Sequence, residues 1–113
     1  MKTMSVYKSL LLALALAGSA AANAGAQKLT IVNHTPDDLT GIFISEADSQ
    51  EWSENFLPDG FVLVPERQIT VKIKQYHEFD IHTRYGDRID HYEDYPGTVT
   101  LIELKGRGRS NYE

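Results

Sequence analysis

The chain contains no cysteine. That absence excludes disulfides, thiol catalysis, thiol redox chemistry and cysteine-ligated metal. A small domain without cross-links has to be held by packing alone. Tryptophan is nearly absent too: Trp52 is the single one. No Gly-x-Ser-x-Gly occurs, so the usual context of a strand-borne serine nucleophile is missing. The clean apolar run Leu10 to Ala17 is well short of the roughly 20 residues that a bilayer span needs. Positive charge is scarce in the region after position 26. All 16 acidic residues lie there, but only nine of the 11 basic ones, so its net charge is −7. Such a balance is poorly suited to nucleic acid or to an anionic membrane surface.

What is present begins with a leader. Lys2 and Lys8 precede the apolar run. Small residues follow, ending in Ala22-Asn23-Ala24 and Ala24-Gly25-Ala26, both of the small-x-small form that signal peptidase needs. The pattern predicts a cleaved secretory signal peptide over 1–26 and a periplasmic or secreted protein. No stable membrane insertion is expected after cleavage. One domain is expected over 27–104. Residues 105–113 (KGRGRSNYE) have no apolar periodicity and read as a disordered tail.

The domain reads as short strands between turn signals. Lys28 to Val32 alternates, and Leu39 to Ser45 is rich in branched and aromatic residues. Phe61 to Val64, Ile69 to Ile73, Phe79 to Tyr85, Arg88 to Tyr92 and Thr98 to Leu104 complete the series. Gly86-Asp87 suits a two-residue type II′ hairpin turn. Over 48–57, Asp48 and Glu51 could form a capping box, with Trp52 and Phe56 on one helical face. A plain loop is equally compatible. The fold class that follows is all-β: a small antiparallel β-sandwich of six or seven short strands, with the option of one short helix near 48–57. A partly open barrel is the second choice. Leu29, Ile31, Ile42, Ile44, Trp52, Phe56, Val71, Ile73, Phe79, Ile81, Val99 and Leu101 are the expected core.

The order of features resembles a group of small exported bacterial β-domains of uncharacterised function. The resemblance is carried by Val32-Asn33-His34-Thr35, Ile44-Ser45, the polar segment from Asp48 to Trp52, Phe56-Leu57, Ile69 to Ile73 and Phe79-Asp80-Ile81. Where such domains often have Pro-Gly-x-Ser, this chain has Pro65-Glu66-Arg67-Gln68. The resemblance implies a β-sandwich and export, and brings no catalytic residues.

Several constellations could carry chemistry. A two-residue turn at Gly86-Asp87 puts His82 opposite His91 and Asp80 opposite Glu93, all on one face. Two imidazoles and two carboxylates suit a transition metal such as zinc or copper. A one-residue change of register would separate the histidines. Glu46, Asp48, Glu51, Glu54 and Asp59 offer oxygen ligands for calcium, but without EF-hand spacing. Tyr92 and Tyr95, flanked by Asp90, Glu93 and Asp94, could form a partner-binding surface or pack under the sheet. Asn33-His34-Thr35 matches the glycosylation sequon. Two functions compete. One is a non-enzymatic binding module for an exported protein or glycan. The other is an exported metal-binding protein using His82, His91, Asp80 and Glu93. An enzyme ranks third.

Overall fold

The computed structural model describes residues 26–113; the expected signal peptide, apart from Ala26, lies outside the described residues. Seven strands form in chain order: β1 (Ala26–Asn33), β2 (Gly41–Glu46), β3 (Gln68–Lys74), β4 (Glu78–Tyr85), β5 (Arg88–Pro96), β6 (Leu101–Gly106) and β7 (Arg109–Tyr112). They make two sheets, ordered β3-β1-β6-β7 and β2-β4-β5. The all-β sandwich is therefore what the alternating pattern encodes. One pair departs from the antiparallel expectation: β1 and β6 run parallel. They are distant in sequence, so no tight turn dictates their direction.

Alternation aims one face of each strand inward. Leu29, Ile31, Val71, Ile73, Ile102 and Leu104 come from the first sheet; Ile42, Ile44, Phe79, Ile81, Tyr92 and Tyr95 come from the second. Each large side chain buried there contributes about 2 kcal/mol. In β6 the inward phase is shifted by one from expectation. Ile102 and Leu104 are buried, and Leu101 is only half-buried.

The helix option over 48–57 is not realised: the segment is irregular. Asp48 takes a left-handed φ of 71°, which a helix start cannot use. Glu51 N–H goes to Ser49 Oγ (3.0 Å) instead of entering a capping box. Ser53 and Asn55 then turn their side chains onto β2, which competes with helical bonding. The expected strand at 61–64 shrinks to one bridge, Leu39 to Leu63. Phe61, Val62 and Val64 stay exposed around it.

The expected disordered tail is structured. Residues 101–106 form β6, and Arg109–Tyr112 return antiparallel against it as β7. The turn between them is built from Gly106, Arg107 and Gly108, all at positive φ. Polar composition hid this strand, because its side chains are largely solvent-facing and carry no apolar alternation.

Asn33 explains the loop after β1. It is fully buried; Nδ2 donates to the carbonyls of Asp37 (2.9 Å) and Leu63 (2.8 Å). Oδ1 accepts from Thr35 N–H (3.0 Å) and Thr35 Oγ1 (2.7 Å). The sequon match is a satisfied structural asparagine, closed to modification in the folded chain.

Candidate functional site

The site is built on the outer face of the β2-β4-β5 sheet. Ile42 and Ile44 point inward, so Phe43 points out. Register places Phe43 beside His82, and His82 beside His91. The result is a cross-strand row of three rings. Ring centroids are 6.0 Å apart for Phe43 and His82, and 4.4 Å for His82 and His91. Arg84 reaches over the Phe43 ring at 5.0 Å. Gly41, paired with Arg84, makes room: a Cβ there would lie 2.8 Å from the Phe43 ring.

Trp52 sits against this row, 4.6 Å from His82 and edge-on at 79°. The loop carrying it is pinned on both sides. Before it, Ser45 Oγ donates to the Ser49 carbonyl (3.3 Å). After it, Ser53 N–H and Phe56 N–H donate to the Ile44 and Ile42 carbonyls. Ser53 Oγ and Asn55 Oδ1 accept the Ile44 and Ile42 amides in return. Side chains thus finish the hydrogen bonding that a neighbouring strand would supply.

Three grooves meet at Trp52. One, of about 460 Å³, runs between the loop and β3, past Glu46, Glu51, Phe56, Lys72 and Lys74. A smaller one, about 210 Å³, is floored by Phe43, His82, Arg84 and Ile89. The third, about 560 Å³, is polar and passes Asp48, Asp80, His82, His91, Glu93 and Asp94. Trp52 is half-buried rather than part of the expected core. The available signal was its setting: a lone tryptophan among Ser49, Gln50, Glu51 and Ser53 lacks the apolar neighbours of a core position.

The hairpin turn is the expected two-residue one, with Tyr85 opposite Arg88 and His82 opposite His91. The carboxylates do not follow. Between Phe79 and Ile81 the register slips, so that Glu93 and Asp94 together oppose Asp80. Asp94 adopts φ 66° and donates its N–H to Asp80 Oδ1 (2.9 Å). Asp80 is thereby engaged, and the direct Asp80–Glu93 pairing is lost. Among the described residues no group of three or more His, Asp or Glu side chains gathers at ion-binding distance. His82 Nδ1 is buried without a hydrogen-bond partner among them. Burial lowers the His82 pKa, and the nearby His91 and Arg84 lower it further.

The hairpin register already points Tyr92 inward opposite Ile81, and the bulge brings Tyr95, three residues on, inward as well. They are 0% and 2% exposed, so the proposed tyrosine surface is core. Tyr95 hydroxyl meets Ser110 Oγ at 2.6 Å. Tyr92 hydroxyl lies 3.3 Å from that of Tyr85 and 3.5 Å from Asp90 Oδ2, to which it donates. Asp90, 7% exposed, also accepts Arg107 N–H (2.9 Å) and faces Arg88 (3.6 Å). Burial alone would raise its pKa. The Arg107 amide, Tyr85 and Arg88 outweigh that and hold it below the usual carboxylate value. Burial raises the Tyr92 pKa, so its phenol stays protonated.

No family model, curated protein or solved structure matches the chain. The chemistry of the site has to be read from its own residues.

Proposed function

We propose that the protein is an exported, non-enzymatic binding module that holds a protein partner at the Trp52 face. One observation carries the reading: a half-buried tryptophan lies against an in-register row of Phe43, His82 and His91, with Arg84 beside it. Tryptophan and arginine dominate interface energetics, and rigid aromatics cost little entropy on binding. The leader and the resemblance to exported β-domains support the compartment. The test compares the wild type with Trp52→Ala, both immobilised and exposed to periplasmic extract. A partner retained by the wild type should fall at least tenfold on the variant. Equal retention would move the binding surface elsewhere. A glycan array run on the same pair reads the sugar-binding form of the proposal.

A second reading, an exported zinc or copper site, is favoured by the His82–His91 register alone. Two imidazoles would need further ligands from water or a partner. Calorimetric titration with zinc should then show heat that disappears in His82→Ala/His91→Ala and weakens below about pH 6. No heat in the wild type would end this reading.

A further inference from the structure

We propose that the outer edge of β3 is a strand-addition site for an extended partner segment that alternates acidic and apolar residues. This rests on the binding-module reading and names the partner's chemistry.

The four end strands are not equally open. β2 is covered by the loop that carries Ser53 and Asn55. β5 is tied to the β6–β7 turn through Asp90 and Arg107. β7 has only four residues. β3 has seven and ends its sheet. The phase of its free groups follows from β1. Asn33 N–H bonds to the Arg67 carbonyl, whereas Thr30 N–H bonds to the Thr100 carbonyl. Odd residues of β1 therefore address β3, and even ones address β6. Across the ladder, Ile69, Val71 and Ile73 answer β1. The backbone groups of Thr70, Lys72 and Lys74 face outward. No backbone from another strand or loop is bonded to them among the described residues.

An edge of this kind accepts an extended backbone. Side-chain chemistry then selects the sequence. Lys28 stands directly opposite Lys72 on the outer face, and Lys74 is two residues along. No ion pair engages any of the three among the described residues. Like charges so placed repel, and an added strand carrying carboxylates there would relieve them. Its alternate, apolar side chains would meet Trp52 and Phe56 in the adjoining groove, whose lining also carries Glu46 and Glu51.

The probe is a capped peptide of about eight residues, near the usual strand length, alternating Glu and Val. Two controls are its Lys/Val counterpart and the Glu/Val peptide N-methylated at alternate residues. Trp52, the single tryptophan, reports occupancy by fluorescence. Amide hydrogen exchange reports the edge. The Glu/Val peptide should bind saturably and slow exchange at Thr70, Lys72 and Lys74 at least tenfold. Raising salt should weaken it, and N-methylation should abolish it. The surface double variant Lys72→Glu/Lys74→Glu should reverse the preference towards the Lys/Val peptide. Absent protection at β3, or equal binding of both charge patterns to the wild type, would overturn the inference. A partner captured through Trp52 that leaves β3 exchange unchanged would sink the edge site and leave the Trp52 face standing. Protection at β3 with partner capture indifferent to Trp52→Ala would do the reverse.

Discussion

Where β5 meets the β6–β7 turn, the sheets are tied together. Asp90 takes the Arg107 amide, Tyr95 takes Ser110, and Arg88 links Asp90 to Asp37 across the end of the sandwich. Across the molecule, β3 lies beside the Trp52 loop, and a groove of about 460 Å³ separates them. There the loop bonds to its own sheet, through Ser53 and Asn55 on β2, and leaves β3 alone. Both sides have to satisfy backbone and polar groups. One does so by joining the sheets; the other finishes only the β2 edge, through Ser53 and Asn55, and leaves the β3 edge open. That side can stay open without exposing β2, which leaves room for the groove.

The sharpest expected difference between the two sides comes from Asp90→Ala. It strands the Arg107 amide and removes one of the two partners of both Arg88 and Tyr92. Urea unfolding should show a loss of about 3 kcal/mol, the range for breaking a buried charged hydrogen-bond set. A loss near zero would mean that the closed side is held by Tyr95 and Ser110 instead. Asn55→Ala attacks the open side. Asn55 takes the Ile42 and Leu57 amides and gives a bond to the Thr40 carbonyl. Its removal should cost about 2 kcal/mol and raise exchange at the Ile42 amide, while Arg107 exchange stays unchanged.

Acid separates the tied side from the Trp52 face by pH window. The His82 pKa is lowered on folding. Between its folded value and the unfolded value near 6.5, the unfolded chain holds the extra proton, so stability falls as pH drops below about 6.5. His82→Gln should flatten that slope. The Asp90 pKa is also lowered. Its contribution is complete above the unfolded value near 3.9 and is lost as pH falls through the lower folded value. Asp90→Asn should remove this second, more acidic slope. The smallest effect is expected at the entry to β3. Glu66 sits at φ 70°, a left-handed conformation that glycine adopts freely. Glu66→Gly should raise thermal stability by no more than about 1 kcal/mol, because it also gives up the exposed contact with His34. A net loss would show that this contact outweighs the backbone relief.

Strands and facing residues were largely legible from alternation. Ile69, Val71 and Ile73 declare β3, and Gly86-Asp87 declares the hairpin and the His82–His91 pairing. What alternation cannot carry is a break in itself. The bulge at Glu93 and Asp94 uses no glycine; it breaks the direct Asp80–Glu93 pairing and lets Tyr95 as well as Tyr92 face the core. β7 has no apolar period to read, because it packs by hydrogen bonds and through Ser110 and Tyr112. Trp52 and Phe56 have helical spacing. Ser53 and Asn55 between them find better partners on β2 than in a helix, and those partners are known only once the sheet exists. Which edge stays open depends on the same long-range bonds. The Trp52 face was thus visible as separate residues but not as a place.

The parallel pairing of β1 with β6 has a consequence in time. Thr30 meets Leu101 and Asn33 meets Leu104, so the centre of the larger sheet waits for almost the whole chain. Sheets dominated by such distant pairings close slowly, on the order of milliseconds to seconds. Until β6 arrives, β1 and β3 can make only a two-stranded ribbon, which is marginal by itself.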